Sequence, residues 1–140
     1  MRTIKFRGFN AKNNQWLYGS HIINRGKNFV APDEFADDKT WEDYEVEPES
    51  VGQFTGLTDK SGTPIYEGDI IGCDRPNIRH LVFYCEKEGR FKAALNGETK
   101  MSILGICGLD DRKWIATKEV IGNIHDNTEL MKKGGQDGRD

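Results

Sequence analysis

The segment from Val51 to Ile71 constrains the fold more than any other. Its apolar stretches, Val51–Leu57, Ile65–Tyr66 and Ile70–Ile71, are short, and each is cut off by Gly, Asp or Pro. Asp59-Lys60-Ser61-Gly62 suits a β-turn, because an Asp side chain accepts from the backbone just ahead of it and Gly takes positive φ without strain. Glu67-Gly68-Asp69 repeats the device before the next apolar run. The segment therefore reads as strand, turn, strand, tight turn, strand. A chain organised around it is a small β-rich fold.

The flanking sequence supports that reading. Residues 2–9 alternate, with Ile4 and Phe6 on one side and Lys5 and Arg7 on the other, as in a half-buried strand. Asn13-Asn14 turns the chain into a second strand over Gln15–Ile23. Arg25-Gly26-Lys27 turns it again into a short strand over Asn28–Ala31, which Pro32 ends. Residues 33–50 are acidic and aperiodic. They read as a loop with one short helical turn, tacked down by Phe35, Trp41, Tyr44 and Val46 and closing on a strand at Tyr44–Glu47. Arg79–Cys85 and Arg90–Leu95 flank the polar turn Glu86-Lys87-Glu88-Gly89 and form a further hairpin. Residues 98–117 fit helix or strand. Lys118–His125 reads as a closing strand, and Asp126-Asn127-Thr128 offers an N-cap for a short helix reaching Met131. The expected architecture is mainly β: an N-terminal β-hairpin unit with its acidic loop over 1–50, an SH3-like barrel or roll over 51–131 with a short C-terminal helix, and a disordered tail over 132–140.

Composition excludes several classes. With 140 residues, 36% hydrophobic, three Trp and seven Phe, the chain can build a core without disulfides. No apolar run approaches the roughly 18 residues that a membrane span needs. Met1–Arg7 is basic but no apolar stretch follows, so it is not read as a signal peptide. Cys73, Cys85 and Cys107 are odd in number and widely spaced, which suits reduced thiols packed as small hydrophobes in a reducing cytoplasm. His21, His80 and His125 are too scattered to suggest a metal site. The net charge of −3 conceals a division. Residues 1–32 carry +6 with no carboxylate, residues 33–49 carry −8, and the chain without that segment sums to +5.

Three blocks resemble the YopX family of small proteins encoded mostly by phages and prophages. Ile4-Lys5-Phe6-Arg7 with Trp16-Leu17-Tyr18-Gly19-Ser20 is similar to that family's first hairpin. Val51–Leu57 through Ile65–Ile70 is similar to its central signature, and Glu119–Leu130 to its ending. The resemblance implies a mainly β protein with a C-terminal SH3-like region. It implies no catalytic residues.

Each concentration of chemistry has a plain structural alternative. Nine carboxylates in residues 33–49 could bind a divalent cation or imitate nucleic-acid phosphate. A calcium loop, however, has ligands at fixed offsets and a Gly at its bend, and Asp33, Glu34, Asp37 and Asp38 lack both. A solvated loop is the better reading, and it could cover the basic hairpin by charge attraction. Lys5, Arg7, Arg75, Arg79, Arg90 and Lys92, interleaved with Phe9, Trp16 and Tyr18, are the candidate contacts for single-stranded nucleic acid. Neither the pI near 5.7 nor a motif supports that use. Glu67 and Asp69 flank Gly68 at a corner and read as turn stabilisers. Asp126 beside His125 reads as a cap. No Ser-His-Asp ordering, nucleophile elbow or phosphate loop is present, so no catalytic residue, cofactor or metal is assigned. Kinship and elimination lead to a non-enzymatic accessory phage or prophage protein of the bacterial cytoplasm. It is expected to bind an unknown host or phage protein, to be able to form a homo-oligomer, and to avoid membranes. Single-stranded nucleic-acid binding is the alternative.

Overall fold

A computed structural model describes residues 2–72, 78–95, 104–105 and 114–131. Arg75, Cys73, Cys107, most of 98–117 and the tail at 132–140 lie outside the described residues. The chain divides into two compact units, Met1–Gly56 and Leu57–Asp140.

The first unit is an antiparallel sheet. β1 (Phe6–Asn10), β2 (Gln15–Asn24), β3 (Lys27–Ala31), β4 (Glu45–Val46) and β5 (Gly52–Thr58) lie in the order β4-β3-β2-β1-β5. Asn14 sits at φ 54° in the first turn, as the Asn13-Asn14 signal predicts. Arg25 and Gly26 both have positive φ, at 54° and 80°, and Asn24 pairs with Lys27 across them. That is the two-residue hairpin turn whose twist matches its strands. Gly19 lies at φ +154°, and a Cβ there would run into the Ala31 carbonyl. Phe29, Val30, Ala31, Tyr44 and Val46 form the buried apolar set.

β1 differs from its expected form. It begins at Phe6 rather than Arg2, and Ile4 is exposed. It is also a central strand, pairing with β2 on one side and β5 on the other. Arg7 is therefore not a solvated outer-face charge. It is buried, with its guanidinium 4.9 Å from the centre of the Trp16 ring.

The second unit holds β6 (Pro64–Tyr66), β7 (Asp69–Gly72), β8 (Arg79–Cys85), β9 (Arg90–Leu95), β10 (Leu104–Gly105) and β11 (Glu119–Asn123). Five of these form an antiparallel sheet in the order β10-β9-β8-β7-β11. The β8–β9 hairpin runs from His80 opposite Leu95 to Cys85 opposite Arg90, matching the two apolar runs in the sequence. β11 returns antiparallel to β7, with an irregularity between Val120 and Gly122. Leu57, Ile65, Ile71, Val82, Ala93 and Ile115 make the core, with Phe91, Trp114 and Val120 packed against it. The other face is also covered, for Ile70 and Ala94 are buried too.

The expected C-terminal helix is a single 3-10 turn, Thr128–Met131. Its start is held by an Asn pair rather than by an Asp cap. The Asn123 N–H donates to Asn127 Oδ1 at 3.1 Å, and Leu130 N–H donates to the Asn127 carbonyl at 2.9 Å. The Asp126 carboxylate accepts from Asn123 Nδ2 at 3.2 Å. Four residues are too few for the i→i+4 ladder of an α-helix. Among the described residues, no helix is long and apolar enough to cross a membrane.

Candidate functional site

The most patterned part of the sequence folds into structural joints. Asp59 Oδ1 accepts from the Ser61 and Thr63 N–H groups, both at 2.9 Å, closing the turn that the sequence announces. Its Oδ2 reaches further and accepts the Val120 N–H at 2.9 Å, so one carboxylate ties that turn to β11. Burial alone would raise the Asp59 carboxyl. The N–H groups of Val120, Thr63, Ser61 and Gly62 overcome this and hold it below the usual carboxylate value. The next corner works alike. Asp69 is fully buried, and its Oδ2 accepts the Tyr66 N–H at 2.7 Å. Gly68, at φ 94°, donates to the Val82 carbonyl and accepts from the Ile124 N–H, both at 2.8 Å. Ser50 does similar work in the first unit, accepting from the Phe9 N–H at 2.7 Å and donating to the Glu47 carbonyl at 2.6 Å.

Of the cations proposed from sequence, Lys5 and Arg7 belong to the first unit and Arg79, Arg90 and Lys92 to the second. In the first unit the Lys5 carbonyl accepts the Phe54 N–H at 2.8 Å, and Arg7 lies buried on Trp16. In the second unit Arg79 sits at one end of β8, opposite Gly72, while Arg90 lies opposite Cys85 at the other. Arg90 and Lys92 are brought together, but by a carboxylate: Glu88 takes Arg90 Nε and Lys92 Nζ, each at 2.9 Å. Lys92, a candidate nucleic-acid contact from sequence, is buried, as Arg7 is. It lies opposite Phe83 in the β8–β9 hairpin. Arg75 lies outside the described residues.

His80 is buried against the edge of Trp114, with ring centres 4.8 Å apart. Burial, reinforced by Lys118, pushes its pKa below 6.5. His125 Nδ1 lies 3.3 Å from Oδ1 of Asp126, its neighbour in the chain.

The acidic segment is the remaining concentration of chemistry. It is anchored at its second half. Residues Trp41–Tyr44 form a 3-10 turn leading into β4. The buried Asn10 amide donates to the Glu45 carbonyl at 2.7 Å. Asp43 accepts from the Thr40 N–H at 3.0 Å, from Asn13 Nδ2 at 3.3 Å and from Lys12 Nζ at 3.2 Å. These partners lower its pKa from 3.8 to about 2. Charge thus fastens the segment to the β1–β2 turn at Lys12, which also approaches Glu42 at 3.7 Å. A cleft of about 390 Å³ lies alongside, lined by Asn10, Lys12, Lys27, Glu42 and Glu45 among others. Asn10 and Lys12 are already engaged within it.

Four rings run outward from this anchor. Phe29 meets Trp41 at 5.3 Å and 73°, Trp41 meets Phe35 at 4.9 Å and 71°, and Phe35 meets Tyr44 at 4.4 Å and 50°. Tyr44 and Phe29 are buried. Phe35 and Trp41 are not, at 40% and 50% exposed. Sequence reasoning took all of the segment's apolar side chains as tacks and missed that two of them face water. The available signal was two large rings set among six carboxylates between positions 33 and 43, a place where burial of the segment would be costly.

The YopX protein family profile matches residues 5–132. The chain belongs to the YopX family. The match runs through the three blocks that carry the resemblance and across the stretches between them. The crystal structure of protein EF1440 from Enterococcus faecalis is similar in fold to this YopX-family chain. Its TM-score is 0.61 at 23% identity, over 94% of this chain and 100% of that one. No curated protein matches.

Proposed function

We propose that this YopX-family chain is a non-enzymatic accessory protein of phage or prophage origin that acts in the bacterial cytoplasm by protein–protein association. The observation that carries the proposal is the half-exposed pair Phe35–Trp41, braced from beneath by Phe29 and Tyr44. Large aromatic rings held rigidly at a surface are the residues on which protein interfaces concentrate their energy. The carboxylates elsewhere support a non-enzymatic reading, since Asp59 and Asp69 are turned to backbone N–H groups rather than to a cavity. The second unit is read as an SH3-like roll. The Gly68–Asp69 corner, the short β7–β8–β9 meander and the return of β11 to β7 support that reading. Single-stranded nucleic acid is the weaker candidate, because Arg90 and Lys92 already share Glu88 and Arg7 is buried.

The test is photo-crosslinking in the host cytoplasm from position 39, exposed beside the two rings, with position 84 in the second unit as control. One protein species captured at position 39 and not at 84 is the expected result. Nucleic acid alone at position 39, or no adduct, would refute the association reading.

A further inference from the structure

We propose that the Phe35–Trp41 face receives a basic, extended segment of the partner protein, with a Lys or Arg side chain seated on the exposed Trp41 ring. This rests on the association reading above and names the chemistry of the partner.

Among the described residues, Trp16 and Trp114 each have a cation over the ring and Trp41 does not. Arg7 lies 4.9 Å from the centre of the Trp16 ring, and Lys118 Nζ lies 4.8 Å from that of Trp114. Among the described residues no cation lies over Trp41, although its ring is half exposed. An indole face attracts a cation better than any other side chain does, and more strongly as water is excluded. The ring is also preset, because Phe29 and Phe35 each meet it near edge-on at about 5 Å. A partner would not have to fix it, which keeps the ordering cost of binding low.

The charge around it selects the occupant. Asp33, Glu34, Asp37 and Asp38 flank Phe35 in sequence and are all exposed. Among the described residues none of them is in an ion pair, whereas Glu42 and Asp43 are drawn to Lys12. Four unneutralised carboxylates beside two exposed rings repel a phosphate backbone or an anionic membrane and attract a cationic chain. Aromatic face and acidic rim together match an Arg- or Lys-rich peptide, whose stems cover the rings while the heads meet the carboxylates. A second copy of this chain, through its own Lys- and Arg-bearing hairpins, is the competing occupant.

The test titrates the full chain with a labelled Lys/Arg-rich peptide, and with a Glu-rich peptide of equal length, at low and high salt. Trp41→Leu and the quadruple change Asp33→Asn, Glu34→Gln, Asp37→Asn, Asp38→Asn are run beside it, with urea midpoints confirming that both fold. The cationic peptide alone is expected to bind. Trp41→Leu should weaken it about thirtyfold while leaving the salt dependence in place. The quadruple variant should weaken it about tenfold at low salt and flatten the salt dependence. Equal binding to Trp41→Leu and to the parent chain would reduce the effect to diffuse charge attraction and overturn the proposal. So would no binding, or a mass in sedimentation showing the chain already occupied by itself. A protein adduct at position 39 without charge preference among the peptides would overturn this inference alone and leave the association reading standing.

Discussion

The two units use carboxylates in opposite ways. In the second, Asp59 and Asp69 are buried and spend their oxygens on backbone N–H groups of turns and of β11. In the first, Asp33, Glu34, Asp37 and Asp38 stand exposed around two half-exposed rings. The most recognisable residues are therefore the ones least available for chemistry. The least patterned stretch is where a partner can be met. A signature of tight Gly and Asp corners marks what the fold requires, and function is to be sought where the pattern lapses.

The contrast can be broken most strongly at Asp69. Asp69→Ala leaves the Tyr66 N–H in a dry site without its acceptor, and should lower stability by about 3 to 4 kcal/mol, read as a fall in urea midpoint. Asp59→Ala strips three N–H groups of their acceptor and should cost about 3 kcal/mol. Exposed carboxylates should behave differently: the quadruple neutralisation around Phe35 is expected to shift stability by about 0.5 kcal/mol or less. A loss there as large as that at Asp59 would erase the distinction between the units.

Acid sharpens the comparison further. The Asp59 pKa is lowered in the fold, so its contribution is complete above 3.8 and is lost as pH falls through the folded value. The His80 pKa is lowered too, so the neutral ring favours the fold above 6.5, and stability declines as pH falls from 6.5 through the folded value. The second unit should thus weaken in two windows. His80→Phe, which keeps a ring against Trp114, should remove the upper one in pH-dependent urea unfolding. In the first unit, Asp43 is lowered to about 2 in the fold, so the Lys12 tether should survive at pH 4, observed as a persistent Asn13 side-chain shift by NMR. The smallest effect belongs to Lys12→Ala. Its ammonium is half exposed, and Asp43 keeps its bonds from Thr40 and Asn13, so the urea midpoint should shift least of all.

Much of the fold was legible because turn chemistry is local. Asn13-Asn14, Arg25-Gly26, Asp59–Gly62 and Glu67–Asp69 all turn the chain where their side chains predict, and the β8–β9 hairpin spans the expected runs. What was hidden depends on neighbours distant in sequence. Arg7 reads as a candidate nucleic-acid contact on a half-buried strand until β5 arrives beside β1 and makes that strand central. Lys92 reads likewise until both faces of its sheet prove to be covered. Asp59 announces its own turn but not its grip on Val120, 61 residues away. In the candidate site, the acidity of residues 33–49 was plain, whereas the outward stacking of Trp41 on Phe29 depends on a strand that the segment folds back to meet.

The most direct test of the central claim is amide hydrogen exchange across the whole chain, with and without the Lys/Arg-rich peptide. Without peptide, the Tyr66 and Val120 amides should be among the slowest and those between residues 33 and 39 among the fastest. With peptide, new protection should appear between residues 33 and 43 and leave 57–72 unchanged. Protection gained instead at the signature corners, or nowhere, would contradict the assignment of structure to one unit and recognition to the other.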